Sequence, residues 1–283
     1  VRIRPITGTI GADIDDVHMT APLDDEVREG VVGALATYGV VAIRDQSLDI
    51  DAFEAVARCF GPFGDTPFIT PVDGHPDVLR LIREADEQGP LFGSGWHSDW
   101  SFQAAPPSYT MLYAVQVPDA GGDTAYTDQS AAYEALSPRM REICDDLHGV
   151  HSAARSYGPR GTFGRPDPRR SMEITGSEEA LDTQTHPLVR VHPITGRRSL
   201  FINDVYTVGI AELPGAEGRA LLDFLLTHCR QIQFTTRIRW TPGTLTMWDN
   251  RMVQHFAIGD YAGHRREMIR ITLAGDVPVG VNG

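Results

Sequence analysis

Three side chains in this sequence could share one metal ion. His97 and Asp99 stand two residues apart in Gly95-Trp96-His97-Ser98-Asp99-Trp100. If that stretch is extended, both point to one face and present a nitrogen and an oxygen to the same spot. Two imidazoles and one carboxylate form the facial set that holds non-haem Fe(II) and leaves the opposite coordination positions open. His255, which follows Trp248-Asp249-Asn250-Arg251, is the candidate for the second imidazole. A His-x-Asp triplet alone is common by chance, so its company decides. Arg266 and Arg270 follow within Arg265–Leu273. On a strand, 266, 268 and 270 share a face, and two guanidiniums would then point toward the metal, an arrangement suited to carboxylates and other anions.

These residues need a rigid frame, and the rest of the chain supplies its signals. Val1 to Asp16 reads as short strands. Acids at Asp24, Asp25 and Glu26 open a helix to about Tyr38, with Val27, Val31, Val32 and Leu35 on one face. The apolar run 39–44 predicts a buried strand, and a second helix begins at Asp51 and ends at Gly61-Pro62. Strands are expected at 78–82, 109–115, 123–126, 186–192, 199–202, 231–239, 245–248 and 268–273. Tyr133 to Leu147 carries helical spacing, with Ser137-Pro138 as a helix start, and Ala216 to Cys229 a further helix. The Gly- and Pro-rich segment 61–95 and the polar excursion of roughly 151–185 are candidate lids or substrate loops. Many strands and few helices point to a mainly β protein, a sandwich or barrel with flanking helices.

The chain has 283 residues, 41% of them apolar and 22% charged, which is ordinary for a globular enzyme. That length fits one large β domain spanning 1–283. A net charge of −13 argues against nucleic acid as partner, yet local arginines can still attract a small anion. No run of 18 apolar residues suggests a membrane span. Cys59, Cys144 and Cys229 form no C-x-x-C, which predicts a reducing, cytoplasmic setting without disulfides. No signal-peptide pattern is visible at Val1, and the lack of an initial Met leaves open whether residues precede it.

Taken together, several motifs resemble the TauD/TfdA family of Fe(II)- and 2-oxoglutarate-dependent dioxygenases, most of all its taurine-dioxygenase-like and alkylsulfatase-like members. The carrying residues are Trp96-His97-Ser98-Asp99, Pro106-Pro107, Gly121-Gly122-Asp123-Thr124, Ala132 to Leu136, His186 to Pro193, Trp248 to Arg251 with Gln254-His255, and Arg265-Arg266 through Arg270. The resemblance spans nearly the whole chain. It implies a double-stranded β-helix, the cupin-like jelly roll. It implies that His97, Asp99 and His255 hold iron, that Thr124 and Arg266 bind the distal carboxylate of 2-oxoglutarate, and that Arg270 meets an anionic group on the substrate. With O2 as cosubstrate, such an enzyme releases succinate and CO2 and hydroxylates a C–H, with C–S, C–O or C–N cleavage where the product is unstable. The presence of Asp99 argues for hydroxylation over halogenation, because family halogenases lack this carboxylate. Relatives are often dimers or tetramers, which implies a homo-oligomer.

At the substrate end the sequence departs from taurine-specific relatives. Thr66 and Ile69 stand where those place a His and a Tyr, and Gly93 stands where they place an Asn. Losing those polar partners predicts that taurine is a poor substrate and that the pocket is larger and more apolar. Ser156, Tyr157 and Tyr206 match pocket positions in relatives, with Phe102 nearby; the two tyrosines could equally be core aromatics. His186 and His192 read as strand ends and turns rather than ligands, and Trp248–Arg251 as a turn that positions His255. Two other readings remain at this level. A zinc hydrolase could use the same His2Asp set, and a jelly-roll protein could bind without catalysis.

Overall fold

A computed structural model describes residues 1–283. It is mainly β, with a seven-stranded sheet as its frame. In spatial order the strands are Arg2–Pro5, Ala12–Asp15, Val40–Ile43, Leu245–Asp249, Tyr109–Gln116, Arg266–Thr272 and Leu79–Arg83. All neighbours pair antiparallel except Ala12–Asp15 with Val40–Ile43. A three-stranded sheet of Thr235–Ile238, Thr124–Asp128 and Val253–Ala257 faces it. Another three strands, Thr207–Ile210, His148–Ser152 and Thr183–Pro187, and the pair Arg198–Leu200 with Val189–Val191 complete the β structure.

The long apolar runs of the central strands are explained by burial on both faces. Met111, Tyr113, Leu245, Met247, Ile269 and Ile271 point one way and pack on the helices Asp25–Tyr38 and Ile50–Arg58 through Val31, Leu35, Phe53 and Val56. The alternate residues Leu112, Ala114, Trp248 and Met268 point the other way and meet Tyr126, Ile238 and Val253 of the smaller sheet. Arg266 and Arg270 share the face of Met268, so the period of two carries both guanidiniums to the side where the sheets meet. No helix is long and apolar enough to cross a membrane.

Local chemistry sets the element ends. The first helix stops at Gly39, whose φ of +71° suits glycine, and a Cβ there would lie 2.6 Å from Val253 Cγ2. The second is capped by Asp49, which accepts from Ala52 N at 2.8 Å. Asp49→Ala is expected to lower stability by about 1 kcal/mol in denaturant unfolding without changing turnover, since the cap is remote from the site.

Several expectations need correction. The helical spacing of 133–147 falls on two helices, Gln129–Glu134, which begins earlier than expected, and Pro138–Asp145, which starts at Ser137-Pro138 as the sequence indicates, Ser137 accepting from Met140 N and Pro138 supplying no N–H. The strand of 186–192 is two strands broken at Leu188, and 231–239 starts with a 3-10 turn. Strands 148–152, 207–210 and 253–257 were not anticipated. The excursion 151–185 packs against the site. Phe163, Met172 and Ile174 pack with Ile69, Trp100, Tyr157 and Tyr206, and backbone bonds tie it to the other irregular segment, Thr70 N to Glu173 O at 3.0 Å and Thr175 N to Phe68 O at 2.8 Å.

Candidate active site

His255 lies in the middle of strand Val253–Ala257, and His97 is bridged directly opposite it. The two residues exchange backbone hydrogen bonds, His97 N to His255 O at 3.1 Å and His255 N to His97 O at 2.8 Å. Here the sequence expectation was wrong in its means. His97 is a lone bridge residue, and 99–100 form a turn with Trp100 at φ +45°. Asp99 therefore reaches the imidazoles by a bend, which is held by Ser98 Oγ on Val253 O at 2.9 Å and by Asp99 N on Asn250 Oδ1 at 3.1 Å.

The outcome is the convergence that the residue types suggested. Asp99 Oδ1 lies 3.6 Å from His97 Nε2 and 3.7 Å from His255 Nε2, and one ligand atom of each residue lies within 4.8 Å of the others. All three are buried. His97 Nδ1 donates to Gly95 O at 2.8 Å, since a carbonyl can only accept, and this leaves a lone pair on Nε2. Burial pushes both imidazoles below their ordinary range, His255 furthest, so both are neutral near pH 7 and able to ligate. Burial pushes the Asp99 carboxyl up, but Arg270, the two histidines and the Thr110 hydroxyl outweigh it and hold it below the usual range. The set of two imidazole nitrogens and a carboxylate oxygen suits Fe(II).

Two arginines of strand Arg266–Thr272 border this centre. Arg270 Nη2 is 3.0 Å from Asp99 Oδ1, too poorly aligned for a hydrogen bond, and its guanidinium lies 5.2 Å over the Trp100 ring. Its Nε is buried without a partner, a donor available to an anion. Arg266 is bonded to protein through Nε alone, to Gly122 O at 3.1 Å. Gly122 at φ +70° permits that approach, because a Cβ would sit 3.3 Å from Arg266 Cδ. Trp240 Nε1 donates to Thr124 Oγ1 at 3.0 Å, so the Thr124 hydroxyl keeps its own proton for a ligand. Arg266 and Thr124 thus present a cationic fork and a hydroxyl donor to the same cavity.

That cavity, partly open to solvent, reaches from Thr124 and Arg266 past His97, His255 and Arg270 to Phe92, Phe163 and Met172. A second space of about 360 Å³ lies beyond His97 and Arg270, lined by Ser156, Tyr157, Tyr206 and Trp100. The two share Phe92, Gly93, His97, Phe163 and Arg270. A side chain at Gly93 would project beside His97 Cε1 at 3.9 Å. Thr66 and Phe102 line neither of these two cavities. Thr66 sits in the half-buried loop before Phe68, and Phe102 backs the wall, 5.0 Å from the Tyr206 ring and 5.9 Å from that of Trp100.

Sequence reasoning missed Thr110, Trp240, Arg170 and the reach of Asn250. Arg170 borders the larger cavity from the excursion. The segment Trp248–Arg251, the end of strand Leu245–Asp249 and the start of the turn 250–252, does more than place His255. Asn250 holds Asp99, while Asp249 accepts from Arg251 and pairs with buried His192 at 2.9 Å. The Asp249 partner of the His192 ring was invisible in its His-Pro context.

Residues 2–272 match the family model described as Taurine catabolism dioxygenase TauD, TfdA family. The chain is 34% identical over 282 residues to the alpha-ketoglutarate-dependent sulfate ester dioxygenase of Pseudomonas putida, covering 99% of this chain and 92% of that protein. It is 34% identical to the alpha-ketoglutarate-dependent 2,4-dichlorophenoxyacetate dioxygenase of Cupriavidus pinatubonensis, covering 98% of each. A taurine dioxygenase structure from Burkholderia xenovorans superposes with a TM-score of 0.84 at 34% identity, over 100% of this chain and 92% of that one. The zinc-hydrolase and binding-protein readings give way to these similarities. The chain belongs to the TauD/TfdA family and is an oxidoreductase that works with Fe(II), 2-oxoglutarate and O2.

Proposed function

We propose that His97 Nε2, Asp99 Oδ1 and His255 Nε2 hold the iron, and that Arg266 and Thr124 bind the distal carboxylate of 2-oxoglutarate. Arg270 receives an anionic group of the prime substrate, a small or medium organic molecule such as a sulfate ester, sulfonate or aryloxy acid. The whole chain, 1–283, acts as one jelly-roll domain, with 61–95 and 151–185 as the segments that close over the substrate. Two buried guanidiniums on one strand face carry this reading. Four residues on a strand separate Cα atoms by about 13 Å, so one arginine can serve the cosubstrate and the other the substrate around one centre.

When bound, iron with 2-oxoglutarate and O2 supplies the oxidant that turns a substrate C–H into C–OH as 2-oxoglutarate becomes succinate and CO2. The protein's part is position and exclusion. Arg266 remains charged at working pH and offers a planar fork to a carboxylate. Thr124 adds a hydroxyl donor whose direction Trp240 fixes. Arg270, stacked on Trp100, turns its unpartnered Nε toward an anion. Phe92, Phe163 and Met172 keep water from the reacting carbon. Where that carbon carries O, S or N, the hydroxylated product can break at the heteroatom.

Gly93 in place of a polar side chain removes one partner for the amine of taurine, which disfavours that substrate. A panel of alkyl sulfates, sulfonates, aryloxy acids and N-substituted amino acids, scored by succinate with Fe(II) and 2-oxoglutarate, tests the reading. Turnover of at least one anionic class above taurine is expected; taurine as the best substrate would refute the pocket argument. Arg270→Leu should raise KM for that substrate about 30-fold or more, since losing one partner of a buried charge pair costs about 2–5 kcal/mol. Substrate-independent loss of 2-oxoglutarate should persist, and an unchanged KM would remove Arg270 from the substrate site.

A further inference from the structure

The two oxygens of Asp99 have different surroundings. Oδ1 faces His97 and His255 at 3.6 and 3.7 Å. Oδ2 accepts a hydrogen bond from the Thr110 hydroxyl at 2.6 Å. Thr110 is on strand Tyr109–Gln116, on the same face as Leu112 and Ala114, and is fully buried. Its oxygen also accepts from Asn250 Nδ2 at 2.8 Å. That bond occupies a lone pair and directs the single hydroxyl proton to Asp99. Asn250 is fixed in turn, because its Oδ1 accepts from Asp99 N and from Trp248 Nε1, each at 3.1 Å. An amide with both ends engaged cannot flip without breaking these bonds. The loop from Asp99 N through Asn250 and Thr110 back to Asp99 Oδ2 is closed, and its three residues, like Trp248, are each no more than 2% exposed.

We infer that Thr110, oriented by Asn250, is a positioning residue that restricts Asp99 to one ligating oxygen. This rests on the assignment of His97, Asp99 and His255 to iron. A carboxylate can give a metal one oxygen or both. The facial set leaves room for 2-oxoglutarate and O2 only while each side chain supplies one atom. An Asp99 freed from Thr110 can turn Oδ2 inward and compete for a position that the cosubstrate needs. The cost therefore falls on cosubstrate binding rather than on metal binding. A residue serving only to pack the strand would produce no such split.

The test uses Thr110→Val, which keeps the shape and removes the hydroxyl, and Thr110→Ser, which keeps the hydroxyl. Mn(II) is titrated into each purified chain without oxygen, and N-oxalylglycine, a non-reacting 2-oxoglutarate analogue, into the Mn(II)-loaded protein. Thr110→Val should bind Mn(II) with unchanged stoichiometry and bind the analogue about 10- to 100-fold more weakly, the range for losing a residue that holds a metal ligand. Thr110→Ser should restore the analogue affinity. Unchanged analogue affinity in Thr110→Val, or equal loss in both variants, would overturn the inference. If circular dichroism shows Thr110→Val unfolded, Thr110→Ala takes its place under the same criteria. Failure of the wild-type chain to bind Mn(II) would instead sink the metal assignment itself.

Discussion

Asp99→Ala is expected to take Fe(II)-dependent succinate release to background and to weaken iron binding, because it removes the only anionic member of the proposed centre. Two neutral imidazoles remain, without the charge that favours a divalent ion. The variant should also lose folding stability in the absence of metal. Arg270 is 3% exposed and lies 3.0 Å from Asp99 Oδ1. Stripping one partner from a buried pair leaves the other charge uncompensated, a loss of about 3–5 kcal/mol. Denaturant unfolding and anaerobic iron titration check the two effects separately. Normal product formation by this variant would remove Asp99 from the ligand set.

Arg266→Leu is expected to give the second large effect, falling on the cosubstrate alone. Its guanidinium and the Thr124 hydroxyl are the paired donors at that end of the cavity. Losing a buried cation opposite a carboxylate costs about 2–5 kcal/mol, so the Kd for 2-oxoglutarate should rise about 30-fold or more. Iron stoichiometry should not change, since Arg266 is not in the His97–Asp99–His255 cluster. Arg266→Lys should recover only part of the loss, because a point charge lacks the bidentate fork. Anaerobic calorimetry of iron-loaded protein reads both. Wild-type affinity in Arg266→Leu would place the cosubstrate elsewhere.

The frame was legible where pattern and burial agree. The run Val40–Ile43 and the alternation through Met268, Ile269, Arg270 and Ile271 announced strands with two buried faces, and the face shared by Arg266 and Arg270 followed from the period alone. Helix ends were marked by local chemistry at Gly39 and at the Ser137-Pro138 start. The strand that carries His255 was missed because Gln254 is polar yet buried, its amide spent on Gln129 and on Ile202 O. No local pattern reports such long-range partners.

The site was readable as residue types and hidden as geometry. His97 and Asp99 met His255 as their chemistry suggested, but through a bridge and a turn rather than a shared strand. Thr110 and Asn250 are 140 residues apart and touch only because strands Tyr109–Gln116 and Leu245–Asp249 pair. Trp240 reaches Thr124 across another pairing, of Thr235–Ile238 with Thr124–Asp128. Thr66 was assigned by alignment with relatives, yet the loop path takes it away from both cavities.

A crystal structure of the chain with Mn(II) and N-oxalylglycine tests the central assignment most directly. The account predicts one ion bound by His97 Nε2, Asp99 Oδ1 and His255 Nε2, with the far carboxylate of the analogue on Arg266 and Thr124. An ion bound by other residues, or the analogue's carboxylate held away from Arg266, would contradict it.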